Sequence, residues 1–246
     1  MCVVAIAWDA HPRWLLVAIG NRDEYHERPA ATLAPWPKEA GFGSGIIAGR
    51  DLRAGGTWLG VSEQGRFALV TNYRAPGYPQ PGRPSRGALV TDLLTGRQPE
   101  AIAEMNPFNL VLADRDGLRF LTNYPEEVAM PLPPGIHGLS NGGFESPWPK
   151  THQLNGALES WLSGDAADFT PLFTALRAET PEADCALPED GPEPCYAPVF
   201  IRDPVYGTRC STVVAIDREG NGTIVERRFD AQGEATGETS LPFRWP

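Results

Sequence analysis

The chain has 246 residues, of which 41% are hydrophobic and 21% are charged, a balance that excludes wholesale disorder, collagen and coiled coils. Its net charge of -10 would repel a phosphate backbone, and no cluster of basic residues is visible, so nucleic acid is excluded as an expected partner. No apolar run approaches the roughly 18 residues of a membrane-spanning helix, and no basic leader precedes the apolar N-terminus, so we expect a cytoplasmic protein without a signal peptide or transmembrane segment.

The predicted elements begin with strands. Glycine (26 residues) and proline (25 residues) together exceed a fifth of the chain, which suits short strands joined by turns. Residues 2–8 and 14–19 are nearly continuous apolar runs, which predict two buried strands of one hairpin. Turn residues between apolar segments predict three further hairpins: residues 57–61 with 67–71, 109–113 with 118–122, and 212–216 with 223–229.

Apolar residues at helical spacing predict three helices, which lie at residues 89–94, 154–162 and 169–176. Residues 179–195 contain six acidic residues, four prolines and no basic residue, which predicts a solvated, acidic, Pro-rich loop over 179–198. The order of hairpins, helices and a final hairpin indicates an α+β fold with antiparallel sheet rather than alternating β-α-β units. No linker is visible, so we predict a single domain over residues 1–246.

Residues 138–142 match G-x-S-x-G, the pattern of a nucleophile elbow. The elbow requires a helix directly after the serine and partner Asp and His residues later in the chain. Here Gly143 and Pro147 interrupt the following segment, and His152 follows with no Asp between it and Ser140. We therefore interpret this segment as a glycine-bearing turn.

The histidines and cysteines do not form a recognisable ligand set. The four histidines are isolated, and the four cysteines include no C-x-x-C pair, so we predict no metal site and no required cofactor. Haem needs only one axial histidine or cysteine, so the sequence leaves haem open as a transported ligand.

Cys2 is the residue that points to chemistry. It follows the initiator methionine, and a small second residue permits removal of that methionine, which leaves the thiol and a free α-amino group on one residue. The reference pKa of an α-amino group, about 7.7–8.0, lets it act as the general base for the thiol. A free cysteine is more often a small buried hydrophobe, and its position alone leaves both interpretations open.

The polar end of the second predicted strand favours the nucleophile. In a hairpin the end of strand two lies beside the start of strand one, which puts Arg22 and Asp23 within reach of Cys2. An arginine favours the thiolate, and an aspartate accepts a hydrogen bond from the α-ammonium group and orients it. Without the cysteine, residues 21–24 would be an ordinary polar turn.

Eight short blocks between residues 1 and 209 occur together in the order in which one known family has them. They are Met1-Cys2, Asn21-Arg22-Asp23-Glu24, Gly55-Gly56-Thr57-Trp58-Leu59-Gly60, Thr71-Asn72-Tyr73, Phe108-Asn109-Leu110, Gly138-Leu139-Ser140-Asn141, Trp148-Pro149-Lys150 and Tyr206-Gly207-Thr208-Arg209. With these blocks the chain resembles the NRDE family, the family of the Transport and Golgi organisation 2 protein.

That family is similar in architecture to N-terminal nucleophile hydrolases, in particular to penicillin V acylases and bile salt hydrolases. The resemblance therefore implies a four-layer αββα sandwich of two antiparallel sheets flanked by helices. It also implies roles for seven residues. These are Cys2 as the nucleophile, Arg22 and Asp23 as its partners, Asn141 as an oxyanion side-chain donor, Arg209 as the late active-site arginine, and Asn72 and Tyr73 as the segment whose backbone N–H completes the oxyanion hole.

Structural roles are the alternatives for three of these residues. Asn141 would hold a turn, Asn72 would cap a strand, and Arg209 would pair with Asp203 or Asp217. The hydrolases usually read R-N-x-D where this chain has Asn-Arg-Asp, a departure that bears on the placement of Arg22.

Three functions are open at this point. The first is a cytoplasmic amidohydrolase that cleaves a linear amide or a thioester, acting on non-peptide C–N bonds through an acyl-cysteine. The second is a non-catalytic carrier of haem or an acyl lipid on the same scaffold, because the resemblance implies haem trafficking and lipid metabolism. Both take a small-molecule or hydrophobic ligand as partner. The third is an interaction protein that uses as a contact surface its acidic C-terminal half, residues 124–246, which contain 19 acidic and 8 basic residues.

Overall fold

A computed structural model of the chain describes residues 2–37, 45–145, 147–181, 191 and 193–246. Within these residues the chain forms thirteen strands: β1 (Val3–Trp8), β2 (Trp14–Tyr25), β3 (Ala30–Pro35), β4 (Ile46–Asp51), β5 (Leu59–Ser62), β6 (Arg66–Asn72), β7 (Phe108–Asp114), β8 (Gly117–Thr122), β9 (Val128–Leu132), β10 (Gly135–Leu139), β11 (Tyr206–Asp217), β12 (Asn221–Phe229) and β13 (Ala235–Arg244). The same residues form three α-helices: α1 (Arg86–Leu94), α2 (Pro149–Leu162) and α3 (Thr170–Leu176).

The chain divides into two compact units. The first unit comprises residues 1–27 and 134–242, and the second comprises residues 28–133 and 243–246. This division does not decide whether residues 1–246 form a single domain, which stays a prediction.

The first unit is built on a six-stranded sheet in the order β10-β1-β2-β11-β12-β13. Alternate residues of its central strands, such as Val3, Ile19 and Val213, face α2 and α3 and form a core with Leu154 and Leu172 of those helices. These strand residues are nearly or fully inaccessible to solvent, as expected where helices cover a sheet face. The face that carries Val3 and Ile19 is called the helix face below.

The second unit is built on a seven-stranded sheet in the order β3-β4-β5-β6-β7-β8-β9. Leu89 and Val90 of α1 pack on Ala68, Val70 and Leu110 of this sheet. The two sheets and few helices confirm the predicted α+β class.

A close backbone approach explains the glycine block at residues 55–60. A Cβ atom added to Gly56 would lie 2.3 Å from the carbonyl carbon of Gly87, and the N–H of Thr57 donates to the carbonyl of Gly87 at 3.2 Å. Glycine is required where two backbones meet at such a distance. This block therefore has a packing role at the start of α1.

The four predicted hairpins and three predicted helices are confirmed, but two strands extend well beyond their predicted ends. β2 continues to Tyr25, and β11 begins at Tyr206, so the polar residues 20–24 lie in a paired strand and not in a turn. Residues 21–24 are polar, and their partners in β11 are Gly207, Thr208, Cys210 and Ser211, so the apolar pattern used to place the strands did not extend to either segment. Strands β3, β4, β9, β10 and β13 were not predicted.

The acidic loop is described only in part, since residues 182–190 and 192 lie outside the described residues. Residues Pro194–Tyr196 form a short 3-10 helix. Among the residues that the structure describes, no helix combines the length and the apolar composition needed to cross a bilayer.

Candidate functional site

Cys2 lies directly before β1, where the register of the sheet sets its neighbours. Val3 pairs with Asn21 of β2, and one step further along the same register Cys2 is level with Arg22. The structure therefore brings Cys2 and Arg22 together in the way that a hairpin predicts.

The other neighbour of Cys2 is the end of β10. Val4 pairs with Leu139, so the next two residues, Ser140 and Asn141, come level with Val3 and Cys2. The Ser140 hydroxyl donates a hydrogen bond to the backbone carbonyl of Cys2 at 3.2 Å. Asn141 is 1% exposed, so its amide is excluded from water.

Arg22 and Asp23 act on Cys2 from different sides, because consecutive residues of a strand point to opposite faces. Asp23 lies opposite Thr208, whereas Arg22 lies opposite Cys210, and Arg209 forms a bulge between these two pairs. Both the Asp23 carboxylate and the Arg22 guanidinium change the pKa of the Cys2 thiol.

Asn21 anchors this end of β2 on the helix face. Its side-chain nitrogen donates to the carbonyls of Leu176 and Val199 at 2.8 and 2.9 Å, and its oxygen accepts from the Ser211 hydroxyl at 2.6 Å. With all these polar groups satisfied, a polar strand end can be buried at little cost. Asp23, two residues further along β2, points to the same helix face.

Asp23 is a buried carboxyl group held by a threonine. Its carboxylate accepts a 2.7 Å hydrogen bond from the hydroxyl of Thr208, and Thr208 in turn accepts from the N–H of Ile201 at 2.9 Å. Burial raises the pKa of Asp23, while the nearby charge of Lys150 and the hydrogen bond from Thr208 lower it. The sequence pattern does not predict this role for Thr208.

Cys2 is 8% exposed, and the surroundings of its thiol favour the protonated form. Burial raises its pKa above the ordinary value, and the Asp23 carboxylate raises it further. The backbone N–H of Asp23, which donates to the sulfur, and the Arg22 guanidinium oppose this shift. Because the net shift is upward, the thiol is protonated at neutral pH and needs a base to become a nucleophile.

Lys150 interacts electrostatically with Asp23 and Cys2, a role that the sequence pattern does not predict. It is 1% exposed, lies in the first turn of α2, and its Nζ is 5.8 Å from the centroid of the Trp148 ring. Burial lowers its pKa, while the Asp23 and Cys2 charges raise it. Its rarity was the available signal, since the chain contains two lysines.

The G-x-S-x-G segment is a packing site for α2. A Cβ atom on Gly138 would lie 2.3 Å from Cγ2 of Thr151, and one on Gly142 would lie 2.5 Å from Nε1 of Trp148. The two glycines therefore let the start of α2, with Lys150, approach the end of β10. The interpretation as a glycine-bearing turn agrees with this geometry.

Arg209 lies in the bulge of β11, between the residues that pair with Asp23 and Arg22. Its guanidinium donates to the backbone carbonyl of Tyr25 at 2.8 Å. Its pKa is lowered by burial and by the neighbouring charge of Arg22. The carboxylates of Asp203 and Asp217, the alternative partners, accept hydrogen bonds from backbone groups of their own turns.

Asn72 and Tyr73 belong to the second unit. Asn72 is the last residue of β6, paired with Phe108, and the N–H of Tyr73 donates to the carbonyl of Pro107 at 2.9 Å. Their role in an oxyanion hole stays a prediction, and Tyr73 could contribute its N–H only by exchanging this partner.

A cavity of about 570 Å³ lies between α2 and the start of β10, with Asn155, Glu159 and Ser163 in its wall. Gly135, which also lines it, pairs with Trp8 at the far end of β1 from Cys2. At about 3.3 Å per residue, the length of β1 separates the cavity from Cys2. Within the described part of the chain, no three His, Cys, Asp or Glu side chains converge as a metal site would need.

Comparisons with known proteins give a consistent picture. The profile of the family described as Transport and Golgi organisation 2 matches residues 1–231. The Transport and Golgi organization protein 2 homolog of Bos taurus is 32% identical and covers 98% of this chain and 97% of its own length. The Homo sapiens homolog is 32% identical with 92% of each chain covered, and the Drosophila melanogaster protein is 26% identical with 95% of each covered.

Two solved structures have a similar fold. One is the Caenorhabditis elegans ortholog of N-acylethanolamine-hydrolyzing acid amidase, with a TM-score of 0.51, 10% identity, and 86% of this chain and 92% of that chain covered. The other is a mutant conjugated bile acid hydrolase from Clostridium perfringens, with a TM-score of 0.55, 8% identity, and coverage of 98% and 92%. At these identities the likeness shows the fold, which is that of N-terminal nucleophile hydrolases.

Proposed function

The chain belongs to the Transport and Golgi organisation 2 family, and on that premise we propose that it is a hydrolase whose nucleophile is Cys2. The observation that carries the proposal is the position of this thiol, buried at the head of β1 beside Arg22 and Asn141 with the Asp23 N–H donating to its sulfur. Both structural relatives are named as hydrolases, of N-acylethanolamines and of conjugated bile acids. The proposed substrates are accordingly linear amides, or thioesters, of an acyl group.

The proposed reaction needs the free α-amino group of Cys2 after removal of Met1. The thiol gives its proton to this amine, and the sulfur attacks the carbonyl carbon of the substrate. The oxyanion that forms is stabilised by hydrogen-bond donors such as the Asn141 amide. The C–N bond then breaks as the amine product takes the proton from the α-ammonium group, which leaves an acyl-cysteine.

Water completes the cycle. It adds to the thioester carbon, its proton goes to the α-amino group, and the carboxylic acid leaves as the sulfur recovers a proton. Asp23 fits the task of orienting the α-amino group, because its carboxylate is itself fixed by Thr208. Since the thiol pKa is raised by burial, the reaction depends on this internal base.

The test is turnover by protein whose intact mass shows that Met1 is absent. We expect release of the amine or thiol product from a panel of N-acyl amides and acyl thioesters of graded chain length. C2A and C2S should reduce this rate at least 10³-fold, as loss of a nucleophile typically does. C195A is the matched control, because Cys195 is an exposed thiol and its loss should leave the rate unchanged.

The same variants distinguish the proposed hydrolase from a non-catalytic carrier of haem or an acyl lipid. A carrier would bind its ligand without turnover, and C2A would leave binding intact unless the thiol is a ligand. Turnover that persists in C2A would contradict the hydrolase proposal.

A further inference from the structure

Lys150 is a buried lysine in a chain whose basic residues are almost all arginines. Of the 21 lysine and arginine residues, two are lysines, at positions 38 and 150. Lys150 is 1% exposed and ranks among the largest fully buried side chains of the described residues. Unlike arginine, a lysine presents a compact charge and shifts its pKa readily when buried.

The local structure does not favour a cation at this place. Pro149 and Lys150 are the first two residues of α2, and the N-terminus of a helix carries a partial positive charge that repels an ammonium group. Burial opposes the charge as well. A lysine that stays charged at this place therefore needs a negative charge nearby.

The carboxylate of Asp23 is the negative charge that acts most strongly on Lys150. Gly138 and Gly142 let Thr151 and Trp148, on either side of Lys150 in the chain, pack closely against the end of β10. The residues that follow β10 are level with Cys2 in the register of the sheet. Asp23 is 4% exposed, so the attraction between its carboxylate and the Lys150 ammonium group is weakly screened by water. Each group shifts the pKa of the other toward its charged form.

We propose that Lys150 is a positioning residue of the hydrolase site, the buried counter-ion of Asp23 that leaves the α-amino group of Cys2 free to act as a base. This inference rests on the proposed function for its consequence in turnover. Without the lysine, the Asp23 carboxylate would stabilise the α-ammonium form and hold its proton. With the lysine, the carboxylate orients the amine while its charge is offset.

The first experiment titrates Lys150 in the full chain by NMR. Labelling with ¹³Cε-lysine gives one signal for each of two lysines, and K38R identifies that of Lys150. We expect a midpoint below the reference value of about 10.4, and a further fall of about one pH unit in D23N, because the carboxylate charge is removed. A Lys150 midpoint that is the same in wild type and D23N would overturn the proposal.

The second experiment follows alkylation of Cys2 by iodoacetamide against pH, with Cys2 identified by peptide mass in the C195A background. We expect K150M to move the midpoint of reactivity up by about one pH unit, because a cation near the thiolate is lost, and K150R to stay close to wild type. A purely structural lysine would lower stability and leave this midpoint unchanged, which would overturn the proposal.

The two proposals fail separately. Wild-type protein that turns over no amide or thioester but shows both shifts would refute the hydrolase and keep the charge pair. Active protein that shows neither shift would refute the charge pair and keep the hydrolase. If K150M does not fold, the lysine titration in wild type and D23N decides.

Discussion

The hydroxyl of Thr208 donates a 2.7 Å hydrogen bond to the carboxylate of Asp23, which joins the end of β2 to β11 beside the bulge at Arg209. This bond fixes one carboxylate oxygen in a buried setting, so the orientation of Asp23 does not depend on substrate. It is the structural basis for treating Asp23 as the residue that orients the base at Cys2.

T208V should destabilise the protein by about 2–4 kcal/mol. The substitution leaves the Asp23 carboxylate and the N–H of Ile201 without the partner that Thr208 provides, and an unsatisfied buried group typically costs ~1–3 kcal/mol. The free energy of unfolding from urea titration measures the loss. T208S keeps the hydroxyl and should recover most of it. A neutral T208V together with a destabilised T208S would show that packing of the methyl group is what matters.

The stability of D23N relative to wild type should be more favourable at pH 7 than at about pH 3. Burial raises the pKa of Asp23 in the folded state, so the folded protein binds this proton more tightly than the unfolded chain does. The resulting stability is present below the unfolded pKa and is lost as pH rises through the folded pKa, a loss that asparagine does not suffer. Urea unfolding of both proteins across this range measures the difference. A difference that is constant or falls with pH would contradict a raised pKa.

N21A should lower the free energy of unfolding by about 3 kcal/mol. It removes the donors to the Leu176 and Val199 carbonyls, which are then buried without the bonds that Asn21 makes. S211A is the matched control, because it removes a single hydrogen bond to the same side chain and should cost about 1 kcal/mol. Similar costs for the two variants would show that Asn21 does not anchor β2 against α3.

G142A should destabilise the protein by ~1–3 kcal/mol. The added Cβ would lie 2.5 Å from Nε1 of Trp148, so the start of α2 would have to shift. The control is G156A, where nothing lies within 4 Å of the added Cβ on α2, and where alanine should stabilise the helix by up to about 1 kcal/mol. Thermal unfolding compares the two. A neutral G142A would show that Trp148 is not packed closely on this glycine.

Much of the arrangement around Cys2 could be predicted from the sequence. The hairpin of β1 and β2 follows from two apolar runs with a short turn, and such a hairpin brings Arg22 near Cys2 by register alone. The sequence could not show that residues 20–25 stay in a strand, because that depends on Asn21 finding partners at Leu176 and Val199, more than 150 residues away.

Lys150 and β10 were harder to predict for related reasons. β10 contains two glycines in five residues, so no alternating apolar pattern marks it as a strand. The lysine reaches the site because glycines admit α2 to the end of that strand, a contact that no local pattern reveals. The polar edge strand β13, with no fully buried residue, was missed because it lacks a hydrophobic signal.

The most direct test of Cys2 as the nucleophile is the intact mass of the active protein before and after reaction with an acyl substrate analogue that forms a stable thioester or thioether. We expect a chain that lacks Met1 and gains one acyl group, with the modified peptide beginning at Cys2. Active protein that retains Met1, or an acyl group found on Cys195 or Cys210 with Cys2 unmodified, would contradict it.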